Sequence, residues 1–261
     1  MLLQEFDPAE TAIFNPEMVF SPMPGMPAVA VSCFSSVTFA RMLERFPDAE
    51  RIATLKCARQ EYPVYRVRYR DAVLALYMSG VGAPQCVGQQ EEIYALGVRC
   101  LVLFGTCGVL DREIADCAVI LPDAAMRDEG TSYHYAPPSD EIAVNVHHAE
   151  LFRALMAELK VSCVAGKCWT TDSMYRETRE KAARRRASGC VCVDMECASV
   201  AAVAAFRGKE ALQFFYAADN LDSEEWDARS LSNDAKKDEK DRIAAIALEA
   251  ARRIAIGKTT V

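Results

Sequence analysis

The chain has 261 residues, of which 51% are hydrophobic, so it can bury one large core without a second domain. Its formal charge of −7 argues against nucleic acid and against an anionic membrane surface as partners, because both require a basic face. No apolar run approaches the ~18 residues of a membrane span. Length, composition and charge therefore favour a protein that binds a small molecule.

The cysteine pattern bears on the cellular compartment. Eleven cysteines are scattered through apolar segments, and their odd number does not fit a disulfide framework. Residues 1–7 carry acids where a signal peptide has a basic segment, so we expect reduced thiols in a cytoplasmic protein. A metal site at Cys190, Cys192 and Cys197 is disfavoured, because structural zinc sites use paired C-x2-C spacing. We expect no metal.

Short apolar runs alternate with longer amphipathic stretches from residue 28 onward, a pattern typical of strands covered by helices on both faces. Alternating polarity around a turn at residues 70–71 predicts a hairpin of residues 64–69 and 72–78. The other predicted strands are residues 28–33, 100–104, 117–121, 161–164, 191–193 and 212–217. The predicted helices are residues 37–46, 85–96, 148–159, 175–186, 195–206 and 234–254. This pattern predicts a single α/β domain over residues 1–261, with residues 1–27 as an N-terminal extension.

Two segments lack regular periodicity, residues 122–147 and residues 218–232. Long loops inside a compact domain are usually functional or mobile. Because both segments follow predicted strands, we expect them near the carboxyl edge of the sheet, where ligands bind in α/β folds.

Residues 105–108 read Gly-Thr-Cys-Gly and directly follow the predicted strand that ends at Phe104. Two glycines around a hydroxyl allow backbone amides and the Thr106 side chain to approach an anion or a sugar closely. Turns after strands also carry glycines for geometry alone. Taken by itself, this segment leaves both interpretations open.

Three acids lie next to predicted strand ends. Asp194 is placed at a strand-to-helix junction, where it can cap the helix. Glu196 enters an Ala-rich apolar helix, and burying its carboxylate is unfavourable unless a polar partner such as a ribose diol is present. Asp219 opens the second irregular segment, where it is either a turn residue or faces a ligand.

In order and spacing, residues 105–108, residues 194–196 and Asp219 together resemble the nucleoside phosphorylase family, which includes uridine phosphorylase, bacterial hexameric purine nucleoside phosphorylase and methylthioadenosine/S-adenosylhomocysteine nucleosidase. Further similar segments are residues 79–84, 127–137 and 170–175. The resemblance extends over residues 28–255. It implies a three-layer αβα fold with a central mixed β-sheet that curls towards a barrel.

The resemblance also implies which residues hold the sugar. Met195 and Glu196 match the pair that binds ribose, with the carboxylate accepting from the 2′- and 3′-hydroxyls. Thr106 matches a position shared between ribose and phosphate. Departure of the base leaves an oxocarbenium-like sugar, which a nearby carboxylate and a bound anion can stabilise.

For the base, the resemblance implies contacts from Met174, Tyr175 and Gly108, although Met174 replaces the Phe usual in the family. Asp219 matches the acid that purine-cleaving members use to protonate or hydrogen-bond N7, which makes it the predicted catalytic residue. Uridine-cleaving members read the pyrimidine with a Gln and an Arg, and the aligned positions here are Thr178 and Glu180. A purine nucleoside is therefore the expected substrate.

The phosphate site departs from the family pattern. Phosphorolytic members carry a Gly-Asp-Pro-x-Arg loop after the first strand, where this chain has Ser-Cys-Phe-Ser-Ser at residues 32–36. A second family arginine is replaced by Leu103, and a third, donated by a neighbouring subunit, aligns with Gln60, next to Arg59. Losing two charge-assisted contacts of about 1.5–3 kcal/mol each would weaken phosphate binding about 10²–10⁴-fold. Arg59 is the expected substitute; Arg66 and Arg127 are further candidates, although arginines are usually solvated.

Three functions therefore remain open. The first is phosphorolysis of a nucleoside to free base and ribose 1-phosphate, with inorganic phosphate as co-substrate. The second is hydrolysis of the same bond by water, and the third is nucleoside binding without turnover. The resemblance implies no metal or organic cofactor, and it implies a homo-oligomer, either a dimer or a hexamer.

Overall fold

The computed structural model describes residues 2–257, and ten strands in that range join into one mixed sheet. The strands are β1 (Val29–Cys33), β2 (Glu50–Cys57), β3 (Gln60–Tyr69), β4 (Ala72–Met78), β5 (Cys100–Val109), β6 (Val119–Asp128), β7 (Glu141–Ala143), β8 (Cys163–Thr171), β9 (Cys190–Asp194) and β10 (Glu210–Asn220). The α-helices are α1 (Ser36–Glu44), α2 (Ala83–Ala95), α3 (Ala149–Leu159), α4 (Arg179–Ala187), α5 (Cys197–Phe206) and α6 (Lys237–Ala255).

Strand β5 is the centre of the sheet, because it runs parallel to β1 and β10 and antiparallel to β9. The pairings β5, β10, β6, β8, β9 return to β5, so these five strands close into a barrel. From β5, the strands β1, β4, β3 and β2 continue as an open sheet, and β7 pairs with β6. The expected mixed sheet that curls into a barrel is confirmed.

Helices cover both faces of the sheet. On one face α6 packs against β1, β4 and β5, and its buried residues Ile243, Ala247, Ala250 and Ile254 recur at helical spacing. On the other face α2 packs against α5, an Ala-rich helix that is buried along most of its length. The predicted three-layer αβα arrangement is confirmed. The boundaries drawn for a single domain stay a prediction.

Several elements differ from those predicted. Strand β2 is not among the predicted strands, because its sequence is rich in charge and only Leu55 in it is buried, as is usual for a strand at the end of a sheet. Strands β5, β6, β8 and β10 run past the apolar segments that predicted them, because the closed barrel pairs their polar ends as well. The predicted hairpin is confirmed as β3 and β4. Helix α2 ends at Ala95, and Gly97, the predicted stop, follows two residues later with a φ of 119°.

The N-terminal residues and the cysteines complete the description. Before β1, residues 2–27 contain the short 3₁₀ turns Leu2–Gln4 and Pro16–Met18. All eleven cysteines are free, and eight are buried. Among the helices of residues 2–257, none combines the length and the apolar character needed to cross a membrane.

Candidate active site

A cavity of ≈ 670 Å³ opens where β5, β9 and β10 end, and we call it the edge cavity. Its volume is in the range of small-molecule sites. All seven residues expected at the sugar or the base line it: Thr106, Gly108, Met174, Tyr175, Met195, Glu196 and Asp219. The structure thus brings these residues together, while the role of each stays a prediction.

Glycines in β5 let other groups approach the strand closely. A Cβ atom at Gly105 would lie 2.6 Å from the ring of Phe34, and one at Gly108 would lie 2.4 Å from Leu221 and 3.2 Å from the Asp219 carboxylate. The strand continues through both glycines to Val109, so the turn predicted after Phe104 is wrong. These glycines serve close packing at the cavity.

Asp194 holds the start of α5 and so fixes the position of Glu196. Its carboxylate accepts hydrogen bonds from the backbone N–H groups of Glu196 at 2.8 Å and Cys197 at 2.6 Å, and from the Thr170 hydroxyl at 2.8 Å. The capping role considered for Asp194 is confirmed. Glu196 is 5% exposed and accepts a hydrogen bond from the backbone N–H of Gly82 at 2.5 Å.

Asp194 and Glu196 are two buried acids whose charged forms are disfavoured. Burial raises the pKa of both Asp194 and Glu196, and the charge of Asp194 raises the pKa of Glu196 further. The hydrogen bonds that Asp194 accepts act in the opposite direction and favour its ionised form. Glu196 is therefore the carboxyl that gains most from a ligand with hydroxyl donors, which would stabilise its charged form.

This arrangement predicts a pH-dependent effect on stability. A carboxyl whose pKa is raised by folding contributes stability at a pH below its unfolded value, and that stability is lost as the pH rises through the folded value. We therefore expect Glu196→Gln to raise the thermal midpoint relative to wild type, by about 3 °C or more at pH 9 and by less at pH 5. Differential scanning fluorimetry across this range checks it, with the exposed Glu180→Gln as control. A constant difference at all pH values would contradict the prediction.

Asp219 enters the edge cavity from a β-bulge between Ala217 and Asp219 in β10. It is 9% exposed, and its carboxylate accepts a hydrogen bond from the indole N–H of Trp226 at 2.9 Å. Burial raises the pKa of Asp219, and the contacts from Trp226 and the charge of Arg229 offset this only in part. A carboxyl in this state is suited to general-acid chemistry.

The segment expected at the base forms a 3₁₀ turn over Met174–Arg176, and Tyr175 in it is 94% exposed. The two positions aligned with the Gln and Arg of uridine-cleaving members lie outside the cavity. Thr178 caps α4 by accepting from the Lys181 N–H at 3.3 Å, and the Glu180 side chain is 90% exposed. Neither lines the edge cavity. The cavity is lined instead by Glu177 and Arg179, each of which directly precedes one of the aligned positions.

A second cavity of ≈ 700 Å³ adjoins the first and extends to the start of α1; we call it the α1 cavity. The residues that line both cavities are Phe34, Val81, Thr106, Leu231 and Ser232. Thr106 therefore lies at the boundary between them. The segment after β1, where the family pattern has its phosphate loop, forms one wall of the α1 cavity with Ser35 and Ser36.

Basic residues line the α1 cavity. Arg41 and Lys237 each pair with a nearby aspartate. Lys240 donates instead to the backbone carbonyls of Ser230 at 2.8 Å and Asn233 at 3.1 Å, and within residues 2–257 it forms no ion pair. Its charge is therefore not neutralised by a carboxylate. These residues could not be predicted from the sequence, because they lie on α1 and α6, far from the recognisable motifs.

The arginines considered from the sequence lie elsewhere. Arg59 is exposed in the turn between β2 and β3 and lines neither cavity, so contact with an anion there requires a neighbouring copy of the chain. Arg66 also lines neither cavity. Arg127 is 5% exposed and donates to the Ser132 hydroxyl at 2.8 Å, so the expectation of a solvated side chain is wrong. Leu103 is buried in the core.

In the described part of the chain, one group has the geometry of metal ligands: Cys100, His148 and Glu210, whose ligand atoms lie within 4.8 Å of one another. Glu210 already pairs with Arg99 at 2.5 Å and accepts a hydrogen bond from His148 Nε2 at 2.8 Å. Because Cys100 and Glu210 begin β5 and β10, the group lies at the opposite edge from the edge cavity. It has no part in that site.

A mixed barrel-like sheet with its ligand-sized cavity at the carboxyl edge defines an α/β protein of the phosphorylase type. The chain belongs to the Phosphorylase superfamily, whose model matches residues 23–255. A guanosine phosphorylase from Halorubrum lacusprofundi is 26% identical over 178 residues, which cover 65% of this chain and 70% of that protein.

Solved structures share the fold. Purine nucleoside phosphorylase from Toxoplasma gondii, in complex with immucillin-H, has a TM-score of 0.77 at 19% identity, over 91% of this chain and 97% of that one. Uridine phosphorylase from Vibrio fischeri ES114 has a TM-score of 0.73 at 20% identity, over 89% of this chain and 98% of that one. The resemblance inferred from the sequence is thereby confirmed.

Proposed function

We propose that the protein cleaves the N-glycosidic bond of a purine nucleoside by phosphorolysis, giving the free base and ribose 1-phosphate. The observation that carries the proposal is the pair of buried carboxyls in one cavity, Glu196 on one side and Asp219 with its raised pKa on another. The similarity to a guanosine phosphorylase supports the choice of a purine.

The proposed chemistry follows from the placement of these groups. Glu196 would accept from the ribose hydroxyls, which supply the polar partner that its burial requires. As the bond from C1′ to the base breaks, its electron pair moves to the purine, and Asp219 donates a proton or a hydrogen bond to N7. A phosphate oxygen then bonds to C1′, and the developing positive charge on the sugar is stabilised by the anion and by Glu196.

For the phosphate we propose the α1 cavity, next to Thr106. Lys240 supplies a charge that no carboxylate neutralises, and the first backbone N–H groups of α1 favour an anion. Arg59 remains a proposed ligand from a neighbouring copy. This anion site would use different residues from the family loop that the sequence lacks.

The anion site is tested by Lys240→Gln. We expect the KM for phosphate to rise about tenfold or more, because a charge-assisted hydrogen bond is lost, with little change in nucleoside KM. Steady-state kinetics at varied phosphate measure this. Lys236→Gln is the matched control, because Lys236 is exposed and lines neither cavity. An unchanged phosphate KM in Lys240→Gln would remove Lys240 from the site.

A nucleosidase is the second candidate. The observation that favours it is the segment after β1, where Ser35 and Ser36 stand in place of the phosphate-binding loop, together with the buried Leu103. Base release that does not depend on phosphate would establish hydrolysis. Nucleoside binding without any base release would leave a binding protein, a role for which the raised pKa of Asp219 has no use.

We also propose that the protein is a homo-oligomer in which a second copy of the chain covers part of the edge cavity. Large apolar side chains at its rim are exposed, with Tyr175 at 94% and Trp226 at 64%. Side chains of this type are usually covered in an assembly or by a ligand. Light scattering of the purified protein gives the number of copies.

A further inference from the structure

Glu177 is a further acid of the edge cavity, and the proposed chemistry does not use it. It directly follows the 3₁₀ turn Met174–Arg176 and lines the cavity together with Asp219. Within residues 2–257, no group donates a hydrogen bond to its carboxyl. Partial burial disfavours the charged form of this carboxyl, and a ligand with N–H donors would stabilise that form.

The charged groups around Glu177 are engaged elsewhere. Lys181 on α4 lies near it, but the Lys181 ammonium contacts the Asp128 carboxylate at 2.8 Å. Arg179, the other basic residue at the cavity, donates to the backbone carbonyls of Ser223 and Glu224. Burial and the charge of Asp219 raise the pKa of Glu177 to about 7. Hydrogen-bond donors on a ligand would therefore shift Glu177 to its charged form.

The donor pattern of the base decides which base fits. A carboxylate offers two acceptor oxygens side by side. Guanine presents two adjacent donors, N1–H and the 2-amino group. Adenine places the acceptor N1 beside its amino group, and the uracil of uridine places carbonyl oxygens on both sides of its single N–H. Of these three edges, the guanine edge is the one that pairs with both oxygens of a carboxylate.

We propose that Glu177 is a specificity-determining residue that accepts hydrogen bonds from N1–H and the 2-amino group of a guanine-type base, while Asp219 serves the imidazole edge. This inference rests on the proposed function, because it assigns the base to the edge cavity. It requires the two acids to contact opposite edges of one purine. Both line the edge cavity, Glu177 just before α4 and Asp219 near the end of β10.

The test compares guanosine with inosine, which lacks only the 2-amino group, in wild type, Glu177→Gln and Glu180→Gln. Glu180 is the control because it lies three residues away and its side chain is 90% exposed. We expect wild type to favour guanosine in kcat/KM by about tenfold or more, and Glu177→Gln to lower the guanosine value about 10- to 100-fold and the inosine value less. Glu180→Gln should keep the wild-type ratio.

Other outcomes overturn the inference. An equal preference for guanosine and inosine in wild type would do so without any variant, as would a preference for adenosine or uridine, although both leave nucleoside cleavage intact. If no nucleoside is cleaved, the proposed function fails, and calorimetric Kd values for guanosine and inosine test Glu177 on their own. A wild-type Kd ratio that Glu177→Gln leaves unchanged would then overturn it.

Discussion

Replacing Glu196 with alanine is expected to lower kcat/KM for a nucleoside by about 10²–10⁴-fold, because two hydrogen bonds to a charged carboxylate are lost at about 1.5–3 kcal/mol each. The Glu196 carboxyl accepts a hydrogen bond from the Gly82 N–H, and the Glu196 backbone N–H donates to Asp194 at the start of α5. These contacts preorganise the carboxyl. Steady-state kinetics with one nucleoside at saturating phosphate measure the loss.

The control for Glu196→Ala is a substrate with a changed sugar. A 2′,3′-dideoxynucleoside lacks the hydroxyls that Glu196 is proposed to bind, so the alanine variant should lose much less with it than with the parent nucleoside. An equal loss with both sugars would mean that Glu196 acts on the fold and not on the ribose. The thermal midpoint of the variant separates an effect on the fold from an effect on ribose binding. Loss of a buried acid with a raised pKa is expected to stabilise the fold, so the midpoint should not fall.

The second large effect is expected for Asp219→Asn, which should lower kcat for a purine nucleoside about 10²–10⁴-fold. Asparagine has nearly the same shape and can still contact N7, but it has no acidic proton to transfer. The expected loss lies in kcat and leaves KM for the nucleoside within a few fold, because the base still binds. Presteady-state measurement of base release reports the chemical step.

Asp227→Asn is the matched control, because Asp227 lies shortly after β10, pairs with Asn220 through the backbone and has a half-exposed side chain. Its kcat should match wild type. A nucleoside with a leaving group that needs no protonation offers a second comparison, since the Asp219→Asn deficit should shrink with it. Full activity of Asp219→Asn on ordinary purine nucleosides would contradict the assignment of Asp219 as general acid.

The main features of the fold could be predicted because the spacing of apolar residues along the sequence indicates which face of a helix or strand is buried. The helix α6 and the strands β1, β4 and β10 carry apolar residues at the spacing of their faces, and they form close to the predicted positions. Strand β2 could not be predicted in this way, because a strand at the end of a sheet buries little and its sequence alternates weakly.

The residues of the candidate site could likewise be predicted only in part. Glu196 and Asp219 could be named because an acid next to an apolar strand or helix is conspicuous. Glu177 could not be named in this way, because the conformation of the 3₁₀ turn before α4 decides whether Glu177 or Thr178 lines the cavity. Lys240 carries no local signal at all, since its place beside the α1 cavity depends on how α6 crosses the sheet.

Phosphorolysis is tested by ³¹P NMR of a purine nucleoside incubated with the protein and inorganic phosphate, with free base followed in the same sample by absorbance. We expect a new sugar phosphate resonance from ribose 1-phosphate that grows in step with the base, while the phosphate signal falls by the same amount. Release of base with no new phosphorus signal would contradict phosphorolysis and identify a nucleosidase. Absence of both products would contradict the proposal that the protein is an enzyme that cleaves nucleosides.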